Sequence, residues 1–229
     1  MVAVADGVGG WNNRGVDPGI YTRELCGLVL ARYKSWLTNR QRWEMDLWEL
    51  LVSSVKETTK TGTCTFVLGL LDETDPHLRV LNLGDSGYML FRRTENGQTN
   101  YSKVFRSEER QYWFNKPYQC GTGYKLPYHA DVYFHQVQDR DVVIMGTDGL
   151  FDNLFEKDIM QCLEDSTKDT IAMDQSKVAH CLASRAEQMS YDKKYDSPFA
   201  QAAREVGRKH PGGKKDDITV IVSEVNIRQ

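Results

Sequence analysis

Apolar, β-rich runs that stop at an acidic residue set the strongest limit on how this chain can fold. VAVA runs into Asp6-Gly7, LRVLNL into Gly84-Asp85-Ser86-Gly87, and VVIMG into Thr147-Asp148-Gly149, while Asp216-Asp217 stands directly before ITVIV. One Asp-Gly after a strand is an ordinary turn, because the carboxylate bonds nearby backbone and glycine accepts positive φ. Four acidic strand ends in one chain say more. Carboxylates brought together from separate strands repel one another unless a cation neutralises them. No basic residue flanks the first three in sequence. An all-oxygen donor set suits Mg²⁺ or Mn²⁺, and Ca²⁺ where the site is roomy. Gly7 agrees with this, since a residue without a side chain lets its carbonyl approach an ion.

Competing chemistries are poorly represented. Gly7-Val8-Gly9-Gly10 lacks the last glycine of a dinucleotide fingerprint, with Asn12 in its place, and no GK[ST] phosphate loop is present. His129 and His135 have no zinc-ligand spacing and read as packing or surface residues. The basic stretch Arg208, Lys209, Lys214 and Lys215 reads as a solvated loop, or more sharply as a modest attraction for phosphorylated substrates. With 29 Lys+Arg against 32 Asp+Glu, nothing draws the chain to nucleic acid or an anionic membrane. No apolar run reaches the ~20 residues that span a bilayer, and no secretory signal pattern precedes Asp6. Asn100-Tyr101-Ser102 is a chance glycosylation sequon.

Cysteines 26, 64, 120, 162 and 181 are odd in number and lack CxxC spacing. Spacing therefore predicts neither a disulfide framework nor a structural zinc, and favours a reducing compartment. Cys120 falls in a loop and reads as a bystander thiol.

Periodicity places helices over 19–38, from Leu47 to Val55, over 155–164, over 174–189 and from Phe199. Strands fall at TCTFVLGLL, LRVLNL, GYMLFRR, YSKVF, DVYFHQV, DVVIMG and ITVIVSEV, with a hairpin turn at Glu95-Asn96-Gly97. The stretch from Arg106 to Tyr128 has no clear period and reads as a long functional loop. Strands in the middle with helices inserted in pairs make one mixed domain, 1–229.

The pieces VADGVGGW, NLGDSG, GTDGLFDN and GGKKDDITVIV, in that order, resemble the metal-dependent protein phosphatases of type 2C over essentially the whole chain. QYWFNKPYQ and YDSPFAQAA resemble the mitochondrial branch of that family. The resemblance implies an α+β fold: two packed antiparallel sheets flanked by helix pairs, a four-layer αββα sandwich, here without the family's first strands. It implies that Asp6 bridges two Mg²⁺ or Mn²⁺ ions and that the Gly7 carbonyl binds one of them. Asp148 and Asp216 hold the other, and Asp85 helps Asp148 bind a third, weaker ion. Asp152 and Asp217 support the cluster from behind, and the 106–128 segment is the flap beside the site. Two adjacent ions acidify water and offset charge on phosphoryl oxygens, so hydrolysis of phosphoserine and phosphothreonine in phosphoproteins needs no protein nucleophile.

Val8 stands where many relatives carry a proton-donating His. A phosphate-binding Arg and an acidic residue belong to the strands that precede VADG in the family. Their absence raises an alternative, a non-catalytic phosphatase-like binding module; a Ca²⁺-binding structural domain is a third. Location follows the branch, mitochondrial, with cytoplasmic as the alternative. No residue is assigned to substrate binding or to an oligomer interface.

Overall fold

The computed structural model describes residues 1–38, 45–71, 76–94, 101–123, 125–166 and 173–227. The Glu95-Asn96-Gly97 turn and Asn100 lie outside them. The chain divides into two compact units, one of Met1–Ser86 with Glu109–His135, the other of Gly87–Glu108 with Gln136–Gln229. Each has its own antiparallel sheet, core and helices, in line with the expected α+β architecture.

In the first unit the strands are β1 (Val2–Gly7), β2 (Thr63–Leu71) and β3 (His77–Leu83), with helices α1 (Pro18–Thr38) and α2 (Leu47–Glu57) between β1 and β2. The sheet order is β1-β2-β3 and then a later strand, Asp131–Gln136. The run TCTFVLGLL is buried on nearly every residue because β2 is central in its sheet. Leu47, Leu50, Leu51 and Val55 put one face of α2 into the core with Tyr21, Leu25 and Val29 of α1. Asp46 caps α2, its carboxylate accepting from the backbone N–H of Trp48 at 2.8 Å and Glu49 at 3.1 Å.

In the second unit β4 (Gly87–Arg93) and β5 (Tyr101–Arg106) flank the hairpin signal and pair antiparallel. The 106–128 segment, expected as a loop, contains short strands β6 (Gln111–Trp113), β7 (Lys116–Pro117) and β8 (Cys120–Gly121) of the first unit. β6 pairs with β7, and β8 pairs with β2. Cys120 is consequently no loop thiol: it lies fully buried opposite Cys64. Burial, reinforced by Cys120, pushes the Cys64 thiol well up, so Cys64 is unsuited to thiolate chemistry. Asp131–Gln136 is β9, and β10 (Val142–Gly146) leads into the single turn α3 (Asp148–Phe151). Helices α4 (Glu156–Asp165), α5 (Gln175–Tyr191) and α6 (Pro198–Glu205) and strand β11 (Val220–Glu224) complete the unit. Its sheet order is β11-β10-β4-β5. Val178, Leu182 and Ala186, four residues apart, line the buried face of α5.

One expectation is overturned here. Cys162 of α4 and Cys181 of α5 form a disulfide, with 5.8 Å between their Cα atoms and a sequence separation of 19. Their spacing carries no motif; the packing of α4 against α5 brings them together inside the second core. Among the described residues Cys26, Cys64 and Cys120 are free thiols. A loop of that size gives a stabilisation of about 3 kcal/mol, or roughly 6–12 °C in a chain of this length. Thermal unfolding should therefore fall by that amount in reductant, whereas the Cys162→Ala/Cys181→Ala double variant should be indifferent to reductant.

Candidate functional site

Strand register gathers the acidic ends. In the first unit β1 runs antiparallel to β2 with Asp6 opposite Thr65 and Gly7 opposite Cys64, and β2 pairs with β3 so that Phe66 faces Leu83. Asp6 and Asp85 thus belong to the same end of the first sheet. Asp6-Gly7 is not a turn, as the sequence suggested, but the last pair of β1. The ladder continues beyond it through the Val8 N–H, which donates to the Thr63 carbonyl at 2.9 Å. Trp11 ties the following segment down, its indole N–H donating to Thr63 Oγ1 at 2.7 Å. Gly7 has a packing reason of its own, since a Cβ there would lie 2.9 Å from that of Pro18. Asp85 is buried and accepts from Gln111 Nε2 at 3.3 Å, and its neighbour Ser86 shares a 2.6 Å hydroxyl contact with Thr65.

In the second unit Gly146 of β10 stands opposite Gly87 of β4 and Val220 of β11. Asp148, two residues past that position, and Asp216, four residues before Val220, therefore emerge at one end of the sheet. The glycine of Asp148-Gly149 is required by close approach: a Cβ would meet the Asp217 carbonyl oxygen at 2.4 Å. The same strand ends are stitched by Thr147, whose hydroxyl donates to the Asp217 carbonyl at 3.0 Å. Asp217 contributes through its backbone, and its N–H donates to Asp216 Oδ1 at 2.9 Å.

Sequence reasoning missed Lys214. It was read as part of a solvated loop, but its side chain is 12% exposed and its ammonium lies among three carboxylates. It contacts Asp148 Oδ2, Asp152 Oδ2 at 2.7 Å and Asp216 Oδ2 at 3.0 Å. Burial alone would lower this ammonium, yet Asp152, Asp148 and Asp216 together outweigh it and hold Lys214 above its ordinary range. Lys215 behaves as expected for the loop, exposed and over the Tyr191 ring at 4.3 Å. Two lysines in a row gave no sign of which would turn inward.

The fit to a divalent ion can be read from Asp148. Its Oδ2 is taken by Lys214, while Oδ1 is buried and has no hydrogen-bond partner among the described residues. A buried carboxylate oxygen left without a donor suits a hard cation. Asp148, Asp152 and Asp216 share one ammonium, so their donor chemistry is right, although among the described residues no group of three or more His, Cys, Asp or Glu is placed so as to hold a metal ion. The cation among these carboxylates in this structure is Lys214. His129 stacks on Tyr118 with centroids 4.0 Å apart, the packing role expected of it. Burial lowers the His135 imidazole.

Buried Asn153 frames Lys214. Its Nδ2 donates to the Lys214 carbonyl at 2.8 Å and the Gly149 carbonyl at 2.9 Å, and its Oδ1 accepts from the Lys214 N–H at 2.9 Å. Ser197 of the SPFAQAA stretch caps α6, accepting from the Ala200 N–H, and its hydroxyl donates to the Gly212 carbonyl at 2.7 Å. Asn153→Ala should strip three bonds from buried or half-buried backbone, a loss of about 2–4 kcal/mol, read as a lower denaturant midpoint with unchanged slope.

No protein-family model matches the chain. Individual proteins do. It is 36% identical over 226 residues to probable protein phosphatase 2C 80 of Arabidopsis thaliana, covering 98% of this chain and 51% of that protein. It is also 36% identical to the protein phosphatase PTC7 homologue of Xenopus laevis, covering 98% of this chain and 76% of that one. The chain spans about half or less of three Arabidopsis phosphatases 2C: 51%, 45% and 29% of their lengths. Among solved structures, that of the photosystem II phosphatase PBCP superposes with a TM-score of 0.83 at 30% identity, over 99% of this chain and 87% of that one. The catalytic domain of the serine/threonine phosphatase PstP, solved with two manganese ions, shares the fold with a TM-score of 0.60 at 16% identity, over 98% of this chain and 86% of that one. The chain belongs to the protein phosphatase 2C family.

Proposed function

We propose that this chain hydrolyses phosphoserine and phosphothreonine in phosphoproteins, using two Mg²⁺ or Mn²⁺ ions with a third, weaker one. The observation that carries this reading is the buried, donorless Oδ1 of Asp148 beside the carboxylates of Asp152 and Asp216. Family membership supports it. The proposed ligands are Asp6, the Gly7 carbonyl, Asp85, Asp148 and Asp216, within one catalytic domain of residues 1–229. When bound, such ions activate water and neutralise charge on the phosphoryl oxygens. The protein's own part is to fix the carboxylates on rigid strand ends before substrate arrives. Asp152, at the end of α3, and Asp217, through its backbone, hold the ligand loops in place. Val8 offers no proton to the leaving oxygen, so water serves. The exposed aromatics Tyr112 and Trp113 of the 106–128 flap are suited to choosing among phosphoproteins by shape.

The alternative of a non-catalytic binding module has no support among the relatives, which are named as phosphatases. No helix among the described residues is long and apolar enough to cross a membrane. Likeness to the PTC7 homologues favours the mitochondrial branch and hence a mitochondrial location.

Phosphate release from a phosphothreonine peptide should depend on Mn²⁺ or Mg²⁺ and disappear with EDTA. Asp148→Ala should lower it by at least ~100-fold, as loss of a central electrostatic element does, without loss of the folded circular-dichroism spectrum. Equal turnover by the variant would falsify the assignment of Asp148. Stabilisation by Ca²⁺ and Mn²⁺ alike, with no turnover, would favour the structural calcium-binding reading instead.

A further inference from the structure

Lys214 has no part in the reading above, yet its charge is held by three carboxylates in the second unit. Its backbone is gripped on both sides by Asn153. Its ammonium touches Asp148, Asp152 and Asp216 and lies 5.1 Å from the centre of the Phe199 ring. Phe199 is itself buried, and its N–H donates to the Asp152 carbonyl at 3.1 Å. The preceding residue contributes too: a Cβ on Gly213 would lie 2.0 Å from the Met189 carbonyl oxygen, so only glycine lets this loop reach the end of α5. A solvated lysine needs none of this.

We propose that Lys214 is a resident counter-ion, which neutralises these carboxylates in the metal-free protein and which a divalent ion must displace. The proposal rests on the metal-binding reading of Asp148 and Asp216. Its physical basis is competition for the same oxygens. Three carboxylates within contact distance of one another's partner cannot stay ionised and close without a cation. The ammonium supplies one charge through direct contacts, including one with Asp148 Oδ2, leaving Oδ1 as the open donor atom. An incoming dication either shares the cluster with a positive charge at contact range or drives the side chain out. Lys214 therefore does two things at once. It keeps the loop folded before metal arrives, and it weakens metal binding so that occupancy follows the supply of the ion. It is a positioning residue, acting through the carboxylates rather than on substrate.

The test uses wild type, Lys214→Gln and Lys214→Arg. Calorimetric titration with Mn²⁺ should show Lys214→Gln binding about tenfold more tightly than wild type, which corresponds to about 1.4 kcal/mol. In EDTA the same variant should unfold at a lower temperature than wild type, and Lys214→Arg should stay near wild type in both measurements. A readout on wild type alone guards against a variant that fails to fold. Lysine acetylation followed by mass spectrometry should find Lys214 protected in EDTA and reactive in saturating Mn²⁺. Equal Mn²⁺ affinity in wild type and Lys214→Gln, or unchanged protection of Lys214 at saturating Mn²⁺, overturns the proposal and leaves the metal reading standing. Absence of Mn²⁺ binding by wild type and Lys214→Gln alike overturns both.

Discussion

Repulsion between carboxylates at the ends of neighbouring strands is the constraint on which the rest of this structure depends. Two like charges 4 Å apart cost about 4 kcal/mol at an effective dielectric near 20, a sizeable share of the 5–15 kcal/mol that keeps a domain folded. The second unit places three carboxylates around one ammonium, with Asp148 and Asp152 both buried. Such an arrangement persists only where a cation is held there. Asn153, Ser197 and the two close-packed glycines, Gly149 and Gly213, serve that end by fixing the backbone that carries the charges.

Each unit solves its own folding problem first and presents its acids second. The first core closes around Tyr21, Leu25, Leu51 and Phe66, the second around Met89, Ile144, Leu163 and Leu182. Antiparallel register then carries the acids to one end of each sheet, because strands that alternate in direction bring the end of one beside the start of the next. The disulfide between α4 and α5 adds a covalent tie within the second core.

Much of this was legible without coordinates. Strand and helix order followed from hydrophobic period. Asp6, Asp85, Asp148 and Asp216 could be singled out because each breaks an apolar run. The readings that failed all concern contacts between residues distant in sequence. Asp6-Gly7 looked like a turn because the pairing with β2 is invisible locally. Cys120 looked like a loop residue for the same reason.

The amino-acid sequence by itself determined which residues carry charge, the order of the main strands and helices, and that four acids stand at or beside strand ends, since these follow from local period and side-chain type. Only the tertiary structure decided that Cys162 meets Cys181, that Lys214 turns inward while Lys215 stays in solvent, and that Asp148 keeps one oxygen without a donor. Those outcomes depend on how helices and loops pack across tens of residues, where a shift of a few ångströms makes or removes an ion pair.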